Sequence, residues 1–263
     1  MGTDSSILNT VALDVTPFWL PKAGLTDAEY EDACGPRRPM AWQLGDTWRC
    51  AVADGATEAA FTGIWAKILV RAYVMERLDD VDFHAQLAPL RAQWRLAVDK
   101  SIGGRQLPWY AEEKRRSGAF AALVGLTLWE GGWSALAVGD CCLFQVRDGE
   151  LLTSFPLDKS SEFGSRPVLV STNPAREDVA ALRVAAGPWR AGDTFYLMSD
   201  ALAAWFLRQH EQGTLPWPLP LVDGPTREAD FAAWIGELRA AREMRNDDVT
   251  LVRVETHDLA FAF

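Results

Sequence analysis

Residues 119–155 read AFAALVGLTLWEGGWSALAVGDCCLFQVRDGELLTSF, and this stretch decides the fold. It contains four short apolar runs separated by the glycine-bearing pairs Gly131-Gly132, Gly139-Asp140 and Asp148-Gly149. Such pairs between short apolar runs are typical of β-hairpins. We therefore predict consecutive antiparallel strands at 119–129, 133–138, 141–146 and 150–155.

Helical patterns lie on both sides of this stretch. Before it, apolar residues at helical spacing predict one helix that is capped by Thr57 and a second that follows Pro89 and ends near Gly103. Because helices cluster early and late while hairpins fill the middle, the pattern favours an α+β domain over an alternating parallel sheet. The later predicted elements are strands at 168–172, 193–198 and 249–255 and helices at 201–210 and 227–244.

Composition and charge describe an ordinary globular chain with an acidic balance. Of 263 residues, 49% are hydrophobic, and 26 Lys+Arg against 36 Asp+Glu give a net charge of −10. No linker is long enough to separate two domains, so we expect one domain over residues 1–263. The acidic balance argues against nucleic-acid partners and against an anionic membrane surface, since both need a basic patch.

The apolar stretches, the first residues and the cysteines indicate the expected compartment. No stretch reaches the roughly 18 to 20 apolar residues of a membrane span, and the first residues lack the basic and then apolar pattern of a secretory signal. The four cysteines, Cys34, Cys50, Cys141 and Cys142, show no CxxC spacing. We therefore expect a reduced, cytoplasmic protein without a membrane span.

Four aspartates stand at predicted strand ends or beside turns: Asp32, Asp54, Asp200 and Asp247. Strand ends are where a rigid sheet presents side chains to a ligand. Two carboxylates 4 Å apart repel by roughly 1 kcal/mol in water and about 4 kcal/mol at an effective dielectric of 20, so a converging set needs a cation. Oxygen ligands suit Mg²⁺ or Mn²⁺. Spacing alone leaves open whether the four form a metal site or are unrelated.

Five short segments resemble a known family in their order along the chain. The metal-dependent protein phosphatases of the 2C type show, in sequence, an ED pair, a DG turn after a strand, a VGDSR hairpin followed by a DG turn, an SDG and a final DN-x-T or DD-x-T. The resemblance spans residues 31–254. The matching segments are YEDAC at 30–34, VADGATE at 52–58, AVGDCCLFQVRDGEL at 137–151, FYLMSDAL at 195–202 and NDDVTLV at 246–252.

The resemblance implies a fold and a metal site. The fold would be a four-layer α-β-β-α sandwich of two antiparallel sheets flanked by helices, with two metal ions in a cleft at one end. By analogy with the family, Asp54 bridges both ions and the Gly55 carbonyl completes the shell of the first. Asp200 and Asp247 then serve the second ion.

The same resemblance implies an activity. Glu31 and Asp32 would hold metal-bound waters or contact a metal. The reaction would be hydrolysis of a phosphoserine or phosphothreonine in a protein by attack of a metal-activated water, with Mn²⁺ or Mg²⁺ as cofactor and a cognate kinase as a further partner. The catalytic residues so implied are Asp32, Asp54, Asp200 and Asp247.

Several positions depart from the family pattern. Ala56 stands where eukaryotic members carry a histidine thought to act as general acid, and Asp27 stands where many relatives carry a phosphate-binding arginine. Arg37 and Arg38 are nearby cations that either replace that arginine or are solvated loop residues. Ala201 replaces the glycine of the SDG, which costs backbone freedom if the site needs a positive φ.

A third metal ion has weaker support than the first two. Asp140 matches one of its family positions, but Ala204 stands where its aspartate partner is sometimes found. We therefore interpret Asp140 as a turn residue first.

Two rival functions stay open beside the phosphoprotein phosphatase. The first is a catalytically weak or inactive phosphatase-fold module that binds a phosphoprotein partner, which Ala56, Asp27 and Ala201 favour. The second is a phosphatase for a small phosphorylated metabolite, because the sequence identifies no peptide groove. Other hydrolase classes have little support, since no serine has a histidine nearby and no phosphate-binding glycine loop is present.

Overall fold

The computed structural model describes residues 11–45, 47–56, 61–104, 109–164, 167–176, 181–214, 224 and 226–258. The α-helices are α1 (Thr62–Val74), α2 (Phe83–Ile102), α3 (Trp109–Ser117), α4 (Asp200–Glu211) and α5 (Arg227–Ala240), and short 3-10 helices lie at Asp27–Glu29, Ser160–Glu162 and Pro174–Arg176. The strands are β1 (Val11–Leu20), β2 (Ala33–Gly35), β3 (Met40–Gln43), β4 (Thr47–Gly55), β5 (Phe120–Trp129), β6 (Gly132–Val138), β7 (Cys142–Arg147), β8 (Glu150–Phe155), β9 (Val170–Ser171), β10 (Arg183–Pro188), β11 (Thr194–Met198) and β12 (Val249–Asp258).

The strands form two antiparallel sheets. The first sheet has the strand order β3-β1-β12-β11-β7-β8, and the second has the order β10-β6-β5-β4-β2, with β9 paired to β5. The longest pairings are β1 with β12 in the first sheet and β4 with β5 in the second. Long central strands of this kind give each sheet a continuous apolar face to bury.

Three apolar layers hold the sheets and helices together. The layer between the two sheets includes Val52, Val124, Leu143 and Val252. Helices α1 and α2 cover the outer face of the second sheet, and α4 and α5 cover the outer face of the first. This is the four-layer α-β-β-α sandwich that the resemblance implied, and the fold prediction is confirmed.

A glycine in β5 fixes how closely α1 packs on the second sheet. A Cβ built on Gly125 would lie 2.5 Å from the ring of Tyr73, which α1 places directly over the strand. The Tyr73 hydroxyl and Thr127 Oγ1 hydrogen-bond at 2.8 Å. These contacts hold α1 directly against β5.

The hairpin predictions are confirmed at two turns and wrong at the third. β5 pairs with β6 and β7 pairs with β8, both antiparallel. At Gly139-Asp140, however, the chain leaves the second sheet and enters the first, because β6 pairs with β10 whereas β7 pairs with β11. Gly139 has φ +93°, and a Cβ there would lie 2.7 Å from the Ala122 Cβ, so glycine permits this close crossing.

Several helix and strand bounds differ from the predictions. α1 begins at Thr62, whereas the predicted cap Thr57 lies outside the described residues. The predicted start of the second helix after Pro89 is wrong, because α2 begins at Phe83 and continues through the proline. Its buried apolar residues, Leu87 and Leu90 among them, stabilise it despite the lost backbone donor. None of the helices in the described ranges is long and apolar enough to cross a membrane.

Candidate metal centre

Two strands of the second sheet bring Asp32 and Asp54 together. β2 and β4 are antiparallel with Ala33 opposite Ala53, and one further step of this register sets Asp32 opposite Asp54. Opposite residues of antiparallel strands lie on the same face of the sheet. The charge of Asp32 also raises the pKa of Asp54, as expected of two carboxyl groups that lie close together.

The first sheet carries three more carboxylates to the same end of the sandwich. Met198, at the end of β11, lies opposite Cys142, at the start of β7. Asp200 follows β11 by two residues and Asp140 precedes β7 by two residues, so both leave the same end of this strand pair. Both of these aspartates are buried. Asp247 is half-buried in the turn that precedes β12.

Electrostatic interactions show that the carboxylates of the two sheets form one neighbourhood. Burial raises the pKa of Asp54 well above its usual value, and the charges of Asp32, Asp140 and Asp247 raise it further. Arg245 connects Asp200 to these carboxylates, because its guanidinium forms ion pairs with both Asp200 and Asp247. We call this group the carboxylate cluster: Asp32, Asp54, Asp140, Asp200 and Asp247.

A chain of hydroxyl groups holds one oxygen of Asp32. Thr250 Oγ1 donates to Asp32 Oδ2 at 2.6 Å, and the buried Tyr30 hydroxyl in turn hydrogen-bonds Thr250 Oγ1. The backbone N–H of Thr250 donates to Ser199 Oγ at 2.9 Å. Burial raises the pKa of Asp32 to about 7, although the hydrogen bond from Thr250 acts in the opposite direction and lowers it.

Glu31 and Gly55 lie at the edge of the cluster. A Cβ on Gly55 would approach the Glu31 carbonyl oxygen to 2.8 Å and Thr62 Cβ to 3.0 Å, so only glycine permits this contact of β4 with the first turn of α1. Thr62 Oγ1 donates to Glu31 Oε1 at 2.7 Å. Asp248 accepts the Glu31 backbone N–H at 2.7 Å and the Lys22 backbone N–H at 2.8 Å, which fixes the segment that carries Glu31.

The donor set fits divalent ions, although it is not assembled around one. Asp32 Oδ1 and Asp200 Oδ1 are buried without a hydrogen-bond partner, and a buried unpartnered carboxylate oxygen costs free energy that an ion removes. All the donors are hard oxygens, as Mn²⁺ and Mg²⁺ prefer. Within the described ranges, no three His, Cys, Asp or Glu side chains already stand in a metal-ligating arrangement. The guanidinium of Arg245 pairs with the carboxylates of Asp200 and Asp247.

The cluster contains residues that the sequence analysis placed elsewhere. Asp140 lies in the bend between β6 and β7, as the turn interpretation expected, but it is also 5% exposed and its charge acts on Asp54. The match of the segment around Asp140 to the VGDSR motif of the family was the sequence signal that Asp140 belongs to the cluster. Arg245 and the anchor Asp248 were not singled out. Asp248 could have been found from the DD pair, whereas nothing in the sequence marked Arg245.

The departures from the family pattern have definite places in the structure. Asp27 is exposed in a 3-10 helix. The Arg37 guanidinium lies 5.0 Å from the ring centroid of Trp19. Ala201 lies within α4 and is not among the residues with positive φ, so its side chain imposes no backbone strain. The backbone N–H of Ala56 donates to the Phe120 carbonyl, which closes the edge of β4 on β5.

Comparison with known proteins assigns the family. A family model described as Protein phosphatase 2C matches residues 26–243. The chain belongs to the protein phosphatase 2C family. The matched range includes four of the cluster carboxylates and ends before Asp247. No curated protein matches the chain closely enough to be reported.

Solved structures share this protein phosphatase 2C fold at low sequence identity. The catalytic domain of the serine/threonine phosphatase PstP in complex with two manganese ions is 20% identical, with a TM-score of 0.56, over 95% of this chain and 100% of that chain. The serine/threonine phosphatase PstP/Ppp of Mycobacterium tuberculosis is 19% identical, with a TM-score of 0.53, over 93% and 98%. PppA, a regulatory component of T6SS in Pseudomonas aeruginosa, is 17% identical, with a TM-score of 0.54, over 93% and 97%.

Proposed function

We propose that this protein phosphatase 2C member is a Mn²⁺- or Mg²⁺-dependent phosphatase that hydrolyses phosphoserine and phosphothreonine in proteins. The observation that supports the proposal is the carboxylate cluster, which gathers acidic residues from both sheets and leaves buried oxygens of Asp32 and Asp200 without partners. The proposal includes a single cytoplasmic domain whose substrates are supplied by a cognate kinase.

Each side chain has a defined task in this proposal. The first ion would be held by Asp54 and the Gly55 carbonyl. The second ion would share Asp54 and would also be bound by Asp200 and Asp247. Glu31 and Asp32 would orient water at the ions, Asp32 through the oxygen that Thr250 leaves free. When bound, the ions supply a water of lowered pKa and neutralise charge on the phosphoryl oxygens.

The surrounding chain keeps these donors in place. Thr250 and Tyr30 fix the Asp32 carboxyl, and Asp248 fixes the backbone of Glu31. Because Ala56 offers no side-chain general acid, protonation of the phosphate ester's leaving oxygen would depend on solvent water. We therefore expect substrates with good leaving groups, such as aryl phosphates, to be hydrolysed faster than alkyl phosphates.

The test is metal-dependent hydrolysis of p-nitrophenyl phosphate. We expect activity with Mn²⁺ and none after chelation, and loss of at least about 100-fold in the Asp54→Asn variant. A matched control is Asp14→Asn, since Asp14 is an exposed strand carboxylate paired with His257. An inactive wild-type protein that ignores Mn²⁺, or an Asp54→Asn variant with full activity, would rule out the enzymatic function.

A second candidate function is a phosphatase-fold module that binds a phosphoprotein without turnover. The engagement of Asp200 and Asp247 by Arg245 favours it, together with Ala56 and Asp27 at positions that assist catalysis in relatives. Calorimetry with Mn²⁺ and a phosphothreonine peptide separates the two candidates. Binding without release of inorganic phosphate supports the module, and phosphate release supports the enzyme.

A further inference from the structure

Arg245 contributes a positive charge directly to the carboxylate cluster. It lies in the turn between α5 and β12, where its guanidinium pairs with Asp200 and places Nε 3.2 Å from Asp247 Oδ2. Its charge also lowers the pKa of Asp140, against the burial that raises it. The same side chain is 49% exposed, so it reaches from the cluster to solvent.

Other cations of this region are committed to different contacts. The Arg239 guanidinium donates to the backbone carbonyls of Pro21 at 3.1 Å and Asp247 at 2.6 Å. Arg37 stacks on Trp19, Arg38 is exposed in the same loop, and the position of the usual phosphate-binding arginine holds Asp27. Of these cations, Arg245 is the one whose guanidinium contacts the carboxylates of the cluster, so a phosphoryl group bound at the cluster would meet Arg245.

Metal binding competes with the Arg245 contacts. An ion ligated by Asp200 and Asp247 brings two positive charges next to the guanidinium that pairs with Asp200 Oδ2 and Asp247 Oδ2, and these charges repel the arginine. A displaced Arg245 stays tethered at the cleft, because its backbone lies only two residues from Asp247. A planar guanidinium offers two parallel N–H donors that match two phosphoryl oxygens.

We propose that Arg245 is the residue that binds the substrate's phosphoryl oxygens, and that Asp200 and Asp247 hold the same guanidinium in the metal-free protein. The inference rests on the proposed function and goes beyond it, because it assigns a substrate-binding residue at a position where the family motifs place none. Arg245 thus exchanges one set of anionic partners for another when the ions bind.

The experiment compares Arg245→Gln with Arg242→Gln, which removes a charge from an exposed arginine three residues away. Two quantities are measured: Mn²⁺ affinity by calorimetry without substrate, and inhibition of p-nitrophenyl phosphate hydrolysis by inorganic phosphate. We expect Arg245→Gln to bind Mn²⁺ about threefold more tightly, because a competing cation is gone. Inorganic phosphate should inhibit it roughly tenfold more weakly. Arg242→Gln should match the wild type in both.

Arg245→Lys refines the test, because lysine keeps the positive charge but lacks the planar guanidinium with its two parallel N–H donors. Its phosphate inhibition should lie between those of the wild type and Arg245→Gln. If Arg245 had a purely structural role, Arg245→Gln would bind Mn²⁺ more weakly than the wild type. Unchanged inhibition by inorganic phosphate in either variant would also overturn the inference. A wild-type protein that binds no Mn²⁺ instead overturns the proposed function itself, so the two failures are distinguishable.

Discussion

At the scale of single residues, the cluster is a site of conflict between stability and ligand binding. Burial raises the pKa values of Asp32, Asp54 and Asp140 because ionised carboxylates lose their hydration there. An acid whose folded-state pKa exceeds its unfolded value stabilises the fold fully below the unfolded pKa and loses that contribution as pH rises toward the folded pKa. The metal-free protein therefore loses stability between about pH 4 and pH 7 from Asp32 alone.

The Asp54→Asn substitution should relieve this conflict. Because it removes one ionisable group from the cluster, we expect the metal-free variant to be more stable than the wild type at pH 8 by about 1 kcal/mol or more, roughly 2–4 °C in Tm. The difference should shrink toward pH 5. Mn²⁺ should raise the Tm of the wild type and leave that of the variant unchanged. Thermal unfolding at pH 5 and pH 8 measures both effects, and a less stable variant at pH 8 would contradict the electrostatic explanation.

The Tyr30 hydroxyl offers a second residue-scale prediction. Tyr30→Phe removes the group that hydrogen-bonds Thr250, which in turn holds Asp32. We expect a loss of about 1 kcal/mol in urea unfolding and a several-fold weaker Mn²⁺ affinity, because Asp32 is less well oriented. Tyr196→Phe is the control, since Tyr196 is also 5% exposed but its hydroxyl makes no hydrogen bond to a described residue. Equal behaviour of the two variants would show that the hydroxyl chain has no such role.

At the scale of elements, the close contact of the end of β4 with α1 and the Glu31 segment positions the cluster. Gly55 ends β4 in contact with the Glu31 carbonyl and the first turn of α1. The packing of Tyr73 on Gly125 keeps α1 close to the sheet. Any side chain added at this corner pushes apart the elements that carry Asp54 and Glu31.

Gly55→Ala should therefore destabilise the protein by about 1–3 kcal/mol, because the new Cβ meets backbone atoms that cannot move aside cheaply. Mn²⁺ affinity should fall in the same variant. Gly45→Ala is a matched control, since a Cβ at Gly45 has no neighbour within 4 Å and Gly45 has no positive φ. Urea unfolding of both variants tests the argument, and a Gly55→Ala variant as stable as Gly45→Ala would refute it.

At the scale of the whole molecule, the sandwich buries all four cysteine thiols, including Cys141 beside the carboxylate cluster. All four thiols are free and buried. Burial raises the pKa of Cys34 to about 12 and raises the pKa of Cys141 well above its usual value. A thiol whose pKa is raised is protonated at neutral pH and is a poor nucleophile.

The native protein should therefore resist thiol reagents. At pH 8 we expect no more than slow reaction with Ellman's reagent and reaction of four thiols after denaturation. Treatment with N-ethylmaleimide should leave phosphatase activity unchanged. Rapid labelling of a native cysteine with parallel loss of activity would point to a thiolate mechanism in place of a metal-dependent one.

Much of the fold was predictable because local patterns decide it. The β7–β8 hairpin turns at Asp148-Gly149 as predicted. The β5–β6 hairpin turns at Glu130-Gly131, one residue before the predicted pair, because Gly132 already pairs with Trp129. The ordered motifs placed four aspartates at strand ends, and the structure brings those four together. β1 was missed, although it is a central pairing partner of β12, because no turn or motif marks residues 11–20.

The sequence by itself determined the central hairpins, most of the helices, the strand-end carboxylates and the resemblance to the protein phosphatase 2C family. Only the tertiary structure decided that the chain crosses between sheets at Gly139, which carries Asp140 into the cluster. Tertiary structure alone also set Arg245 against Asp200 and linked Tyr30 to Thr250 across the molecule. The physical reason is that turn geometry and periodicity act over a few residues, whereas contacts between the ends of two sheets depend on how the whole core packs.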